Sequence, residues 1–260
     1  MKVTLAVALL GLTITSYCQN SQSWNGKSCA VVLTYDDAIN AHLDNAIPAL
    51  DSLNLKGTFY LIGSSPVTNI RMAEWRDAAS RGHELGNHAL VHPCDGSKPG
   101  RGFVTKDNDL SKYTVSRAVN EIRLNNTLLK AIDGKSARTF AYPCGDLTIE
   151  GKYFYDDLKS DFEGARGTKG EMNTIEKVNL DDIDSYSING NSAEYMIDLV
   201  KKAAVKKSLV VFMFHGVGGG HSLNVGSAEH SKLLHYLKAH ENEIWIAPMV
   251  DVAKYIRNKR

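Results

Sequence analysis

The stretch "VVLTYDDAIN" at residues 31–40 sets an apolar run directly against two neighbouring acids. The run is rich in β-branched residues, as buried strands are, and Asp36 and Asp37 follow where the strand should end. Two like charges side by side repel each other, so a partner must hold them there. Two interpretations of this acid pair are possible: it caps a following helix, or it belongs to a functional site.

Five further β-rich runs follow and alternate with helical patterns. They are "GTFYLIG" (57–63), "GHELGNH" (82–88), "RTFAYP" (138–143), "SLVVFMF" (208–214) and "EIWIAP" (243–248). The helical pattern is clearest at 115–132, where apolar residues recur at i, i+3/i+4 spacing. This alternation predicts an α/β fold with a parallel sheet, closed or partly closed as a barrel.

Composition indicates one globular domain. The chain has 260 residues, of which 43% are hydrophobic, and a formal net charge of +1. That length can bury the core of a single α/β domain. Without an excess of basic residues, no nucleic acid is expected as a partner.

The first eighteen residues have the pattern of an export signal. Lys2 precedes the apolar run "VTLAVALLGLTIT", and Ser16 and Cys18 are small residues around a cleavage point. We therefore expect a signal peptide at 1–18 and a single domain at 19–260, exported to the periplasm or secreted. A membrane anchor is the alternative, but the apolar run is short for crossing a bilayer. After removal of the signal peptide, no stable membrane span is expected. A lipid anchor at Cys18 is less favoured because Tyr17 is bulky.

Unusual polar residues fall at the ends of the predicted strands. The carboxyl ends of parallel strands meet at one edge, where barrel active sites form. His88 and His92 are four residues apart, so on one helical turn or tight loop they could share a divalent ion. One acid from 36–37 could complete a His₂Asp set while the other acts as a base. Two surface histidines are the alternative.

Four ordered segments carry a resemblance to a known family: "TYDDA" (34–38), "NHALVH" (87–92), "RTFAYPCG" (138–145) and "FMFHG" (212–216). In order, residue type and approximate spacing they resemble the motifs of the NodB-homology polysaccharide deacetylases, carbohydrate esterase family four. The resemblance implies a distorted, partly open (β/α) barrel with about seven parallel strands. It also implies hydrolysis of an acetyl group by a metal-activated water.

The resemblance assigns a role to each matched residue. Asp36 would be the general base and His215 the general acid, and Asp37, His88 and His92 would bind one divalent metal ion. Two imidazoles and one carboxylate suit zinc first, with cobalt or nickel also compatible. The backbone N–H of Cys144 would help to bind the oxyanion, with Tyr142 and Pro143 beside it in the same motif.

Two positions depart from the family pattern. Ala141 stands where the family has an arginine that pairs with the base, and Cys144 stands where it has a tyrosine. We hypothesise that Arg166, in "EGARG", replaces that arginine; an ordinary surface residue is the alternative. For the acid that tunes the catalytic histidine, Asp184 is the candidate, against a solvated acidic turn.

The cysteines and a glycine-rich stretch complete the predictions. Cys94 and Cys144 belong to loops that the fold should bring to one rim, so we predict a disulfide between them, with Cys29 buried and free. Three unpaired thiols are the alternative. In "GVGGG" (216–220) the glycines could let a sugar approach the backbone, and His221 could point into the cleft; a mobile surface loop is equally compatible.

Two functions remain open. The first is an exported, metal-dependent deacetylase, acting as a monomer on an acetylated oligo- or polysaccharide: an N-acetylglucosamine-containing glycan or an O-acetylated xylan. The second is a catalytically weak or inactive carbohydrate-binding relative, because two motifs are altered. A serine hydrolase is disfavoured, since no G-x-S-x-G is present.

Overall fold

The computed structural model describes residues 23–260, so the expected signal peptide at 1–18 and the alternative anchor at Cys18 lie outside the described residues. The strands are β1 (Cys29–Asp36), β2 (Thr58–Leu61), β3 (Glu84–Asn87), β4 (Phe140–Ala141), β5 (Thr148–Ile149), β6 (Lys152–Tyr153), β7 (Ala165–Arg166), β8 (Tyr186–Ser187), β9 (Leu209–Phe214), β10 (Gly216–Val217), β11 (Asn224–Val225) and β12 (Ile244–Ile246). The α-helices are α1 (Ile47–Ser52), α2 (Pro66–Ile70), α3 (Met72–Ser80), α4 (Val115–Asp133), α5 (Ala193–Lys206), α6 (Ser227–Ala239) and α7 (Met249–Lys259). Over residues 23–260, no helix combines the length and the apolar character needed to cross a membrane.

One parallel sheet organises the fold. Seven of its strands run in the order β7-β4-β3-β2-β1-β9-β8, and β12 pairs with the first residues of β1. Its outer strands, β7 and β8, are not paired with each other; an isolated bridge joins Arg166 to Ile183, just before β8. The sheet is therefore a barrel that stays partly open. This confirms the expected (β/α) barrel of about seven parallel strands.

The two faces of β1 explain why the site lies inside the barrel. Successive side chains of a strand point to opposite faces. Val31 and Leu33 belong to the core cluster shared with the surrounding helices, whereas Ala30 and Val32 belong to a second cluster. Asp36 has the parity of Ala30 and Val32. Its carboxylate therefore faces inward at the carboxyl end of the strand.

Helix α7 closes the opposite end of the barrel. The backbone N–H of Met249 donates to Thr58 Oγ1 (2.8 Å), and that of Val250 donates to Glu84 Oε2 (2.9 Å). Thr58 and Glu84 are the first residues of β2 and β3. The amino-terminal end of the sheet is thus covered, and the end where the strands finish remains open for a ligand.

Candidate active site

The ends of β1, β3 and β9 bring the predicted acids and histidines together. Asp36 is the last residue of β1. Asp37 has a φ of 85°, in the left-handed region that a residue other than glycine rarely adopts. This turn sends the two neighbouring carboxylates in different directions. Backbone strain of this kind is common at functional sites.

Asp37, His88 and His92 form a compact set of potential metal ligands. Asp37 Oδ1 lies 3.5 Å from His88 Nε2 and 3.6 Å from His92 Nε2. Among residues 23–260 it has no hydrogen-bond partner although it is buried, which is unfavourable unless a cation binds there. His88 Nδ1 lies 2.9 Å from the carbonyl oxygen of Ala141, and donation through Nδ1–H leaves the Nε2 lone pair free. These residues fit one divalent cation.

The surroundings of this set favour the protonation states that a metal ligand needs. Burial alone would raise the pKa of Asp37, but the imidazoles of His88 and His92 lower it below its ordinary value. Burial lowers the pKa of His92 to about 4. An ionised carboxylate beside a neutral imidazole is the form that binds a divalent cation.

Arg166 lies beside the other acid. Its Nη2 forms an ion pair with Asp36 Oδ2, and both side chains are buried, so Arg166 is not a surface residue. Burial alone would raise the pKa of Asp36, but the Arg166 guanidinium, with smaller contributions from His88 and His215, lowers it.

Arg166 lies where it can take the place of the arginine that the family has at position 141. Ala141 on β4 is the register partner of Arg166 on β7. Partners on adjacent parallel strands point to the same face of the sheet. Arg166 therefore brings a guanidinium to the space that a side chain at Ala141 would enter, from the next strand. Arg138 instead pairs with Asp133, near the start of β4.

The turn after β4 is tied to the loop after β3. Cys94 and Cys144 form a disulfide with their Cα atoms 5.7 Å apart, and Cys29 is a buried free thiol. Cys144 and Tyr142 line the same cavity as the acids and histidines, although the Tyr142 hydroxyl donates to a backbone carbonyl outside the site. Pro143 is not among the residues that line this cavity.

His215 lies near the second carboxylate oxygen of Asp37. Its Nε2 lies 3.9 Å from Asp37 Oδ2. Burial lowers the pKa of His215, while the carboxylates of Asp36 and Asp37 act in the opposite direction. Within the described part of the chain, the buried Nδ1 of His215 has no hydrogen-bond partner.

Asp184 does not supply that partner. Its carboxylate accepts a hydrogen bond from Asn173 Nδ2 at 2.6 Å. It precedes β8, so it lies at the amino-terminal end of that strand, whereas the site forms where the strands end. The expectation that Asp184 tunes His215 therefore disagrees with the structure.

Two further histidines lie close to His215: His42, which the sequence did not single out, and His221, for which a place in the cleft was one of two alternatives. His42 Nε2 lies 2.8 Å from the carbonyl oxygen of His215 and so holds the backbone of that residue. Nothing in the sequence around His42 indicated this contact. The His221 ring stacks on His215 with the ring centroids 4.8 Å apart. The glycine-rich stretch before His221 was the available signal.

One open cavity of about 670 Å³ is lined by both acids, by Arg166 and by four of the histidines: His88, His92, His215 and His221. Its wall also includes Phe103, whose side chain is exposed. The volume lies in the range of small-molecule and oligomer-unit sites. A cation-binding set, an ionised buried carboxylate and a histidine in one cleft can support general acid–base hydrolysis of an ester or amide.

Comparisons with known proteins agree with this arrangement. The family model "Polysaccharide deacetylase" matches residues 25–158. A gellan lyase from Bacillus sp is 25% identical over 259 residues, which cover 90% of this chain and 10% of that protein. A bifunctional xylanase/deacetylase from Pseudobutyrivibrio xylanivorans is 22% identical over 176 residues, which cover 65% of this chain and 27% of that protein. The chain thus spans only a small part of the length of these relatives.

A solved structure shows the same fold. The putative polysaccharide deacetylase from Mycobacterium smegmatis superposes with a TM-score of 0.63 at 14% sequence identity, covering 90% of this chain and 92% of that one. At this identity the likeness concerns the fold alone. Because the family model matches more than half of the chain, the expected family is confirmed: the protein belongs to the polysaccharide deacetylase family.

Proposed function

We propose that residues 19–260 form the catalytic domain of an exported, zinc-dependent deacetylase, periplasmic or secreted, that acts as a monomer on an acetylated glycan. The observation that supports this most directly is the joint placement of three features. The Asp37, His88 and His92 set, the Asp36–Arg166 ion pair and His215 all line one cavity. A deacetylase among the relatives supports the acetyl group as the target.

The chain's own residues divide the acid–base work. Asp36, held ionised by Arg166, would accept the proton of the attacking water. His215, near Asp37, would donate a proton to the departing sugar oxygen or nitrogen. The backbone N–H of Cys144, at the cavity wall, would stabilise charge on the acetyl oxygen.

The cation-binding set adds the third contribution. Asp37, His88 and His92 would hold the metal, which when bound would polarise the acetyl carbonyl and lower the pKa of water. The proposed reaction requires no nucleophilic side chain, since Asp37 would serve as a ligand and Asp36 would take the proton.

The test is acetate release from a panel of N-acetylated chitooligosaccharides and O-acetylated xylooligosaccharides. The protein is stripped with a chelator and then reconstituted with zinc, cobalt or nickel. We expect release only after reconstitution. Chelator-insensitive release would contradict the metal dependence, and absence of release from every substrate would favour the alternative, an inactive carbohydrate-binding relative.

The two acids can be separated by matched substitutions. Asp37→Asn should reduce the bound metal, because it removes the carboxylate between His88 and His92. Asp36→Asn should retain the metal and lower kcat about 100-fold or more, since it removes the base. Metal content by atomic emission and kcat are measured on both variants. Equal loss of metal in both would overturn the division of roles.

A further inference from the structure

The glycine-rich stretch after His215 is a fixed turn rather than a loose surface loop. Gly218, Gly219 and Gly220 have φ values of 69°, 125° and 84°. Three consecutive residues in this region favour glycine strongly. A Cβ on Gly218 would lie 2.0 Å from Ser227 Oγ, so any other residue there would also displace that hydroxyl.

Hydrogen bonds hold this turn against the following segment. The N–H of Gly218 donates to the carbonyl oxygen of Val225 (2.8 Å), and the N–H of Gly219 donates to Asn224 Oδ1 (2.7 Å). The next residue after the glycines, His221, is therefore returned over the end of β9. His221 lines the cavity, which favours the alternative that it points into the cleft.

A backbone contact fixes which His221 nitrogen carries the proton. The N–H of Leu223 donates to His221 Nδ1 at 3.0 Å, so Nδ1 accepts and the neutral ring carries its hydrogen on Nε2. Nε2 lies 3.7 Å from Asp37 Oδ2, beyond hydrogen-bond distance. The side chain is 30% exposed and lines the cavity. Its Nε2–H is thus a donor that faces the cavity.

The stacking of His221 on His215 limits what that donor can reach. The two rings are nearly parallel, at 17°, with centroids 4.8 Å apart. Parallel imidazoles at this spacing cannot direct their lone pairs at one ion, and an Nε2 that carries hydrogen has no lone pair to offer. Because His221 stacks on His215, its Nε2–H can reach a ligand atom that lies next to the leaving atom, the atom that His215 would protonate.

We propose that His221 binds the acetylated sugar unit: its Nε2–H donates a hydrogen bond to a sugar oxygen next to the leaving atom. This rests on the proposed function, because the ligand is the glycan of that reaction. His221 is then a substrate-binding residue that distinguishes a sugar from other acetyl carriers. The turn formed by Gly218, Gly219 and Gly220 positions it.

Two substitutions separate this role from a structural one. His221→Asn retains an acceptor close to the position of Nδ1 for the Leu223 N–H, but it has no donor that reaches the position of Nε2. His221→Gln places an N–H near the position of Nε2. His235→Ala is the matched control, since His235 is an exposed residue of α6 away from the cavity.

The experiment compares metal-loaded wild type and variants on acetylated oligosaccharides and on 4-nitrophenyl acetate, which carries no sugar. Calorimetry measures the affinity for the acetylated oligosaccharides and for their deacetylated products. For His221→Asn we expect the ratio of kcat/KM on sugar to kcat/KM on the ester to fall about fivefold, through KM, with a similar loss of affinity. His221→Gln should recover part of the loss, and His235→Ala should match wild type.

Other outcomes overturn the inference. Equal losses on sugar and ester, or a loss of bound metal, would place His221 in the chemistry or in the metal site. Affinities of His221→Asn that match wild type, or no sugar binding by wild type, would remove the sugar-binding role. If wild type binds the oligosaccharides without releasing acetate and His221→Asn weakens that binding, the proposed function fails while the role of His221 stands.

Discussion

Asp36 and Arg166 form a buried ion pair in which each charge is compensated by the other. Removing one partner from such a pair leaves an uncompensated charge, at a cost of about 3–5 kcal/mol. Arg166 contacts Asp36 and, with it, lines the cavity. In the proposed reaction Arg166 would act as a positioning residue that keeps Asp36 ionised and oriented, and its removal should then change the pH dependence.

Arg166→Met should lower kcat about 100-fold, as expected when a catalytic group is misplaced. The guanidinium lowers the pKa of Asp36, and a base works only when it is ionised, above its pKa. Without Arg166 that pKa rises, so the acidic limb of the pH–rate profile should move to higher pH. Arg166→Lys, which keeps a charge, is the control if the Met variant folds poorly. An unmoved acidic limb would contradict the role.

Restoring the arginine on the neighbouring strand provides a second test. Ala141 and Arg166 are register partners, so a side chain at 141 enters the same space. The double variant Arg166→Ala/Ala141→Arg should recover at least about tenfold in kcat over Arg166→Ala alone, since a charge-assisted pair is worth about 1.5–3 kcal/mol. Recovery of thermal stability without recovery of kcat would show that the pair is only structural.

His83 illustrates a histidine near the motifs that has a different task. Its Nδ1 accepts from the Gly57 N–H at 3.1 Å, and its Nε2 lies 3.1 Å from Asp51 Oδ1, so the buried ring is neutral. Burial lowers the pKa of His83 to about 4. An unfolded histidine titrates near 6.5, so between about pH 6.5 and pH 4 the unfolded chain binds a proton that the folded chain does not. This contribution to stability is present above pH 6.5 and is lost as the pH falls.

His83→Asn should therefore show a smaller drop in Tm between about pH 7 and pH 5 than wild type. Asparagine keeps an acceptor for the Gly57 N–H and removes the titrating ring. The measurement is Tm across this pH range, with the exposed His235→Asn as control. A drop in the His83→Asn variant as steep as in wild type would show that other groups cause the acid sensitivity.

At the scale of elements, the disulfide joins the loop after β3 to the turn after β4, across a sequence separation of 50 residues. The same loop is held by Asp146, whose buried carboxylate accepts from the backbone N–H of Asp95 and from Lys98. His92 and Cys144 stand at the two sides of this connection. The covalent link therefore stabilises the wall of the cavity as well as the fold.

Replacing the disulfide by Cys94→Ser/Cys144→Ser should lower the free energy of unfolding by about 2–5 kcal/mol, because the unfolded chain regains a large loop. Mass spectrometry of residues 19–260 should find one free thiol before reduction, Cys29, and three after it. A reductant should lower the Tm of wild type and leave that of the double variant unchanged. Three thiols without reductant would contradict the link.

The helix with the longest apolar stripe was predicted, whereas the 14-residue helix α5 and the two-residue strands β7 and β8 were not. Helix α4 was expected at 115–132 and spans Val115–Asp133, because its apolar stripe is long. Strands β7 and β8 have two residues each, too few for an alternating pattern, and only their neighbours in the sheet make them strands. Asp184 was misplaced for this reason: without β8, its end of the barrel could not be assigned.

At the scale of the whole molecule, the barrel is open where the strands finish and filled where they begin. The motifs located the open end, because Asp36 is the last residue of a strand of the sheet and His88 and His215 each follow one. The motifs could not predict the ion pair between Arg166 and Asp36, which joins β7 to β1 across the interior. They also could not predict which nitrogen of His221 carries the hydrogen. Such contacts depend on the closure of the sheet and on backbone hydrogen bonds, which have no local sequence pattern.

Glu84 joins β2, the segment before β4 and the start of α7 at the filled end of the barrel. Four donors surround its buried carboxylate: the hydroxyl and N–H of Thr139, the hydroxyl of Thr58 and the N–H of Val250 at the start of α7. In Glu84→Gln the amide N–H₂ would face two of these donors, so the free energy of unfolding should fall by about 1–3 kcal/mol. The exposed Glu171→Gln is the control, and chemical denaturation measures both. Because Glu84 lies at the closed end, the folded variant should keep its metal and its kcat. A variant as stable as wild type would show that Glu84 does not stabilise this end. Loss of metal before unfolding would show that the two ends of the barrel are not independent.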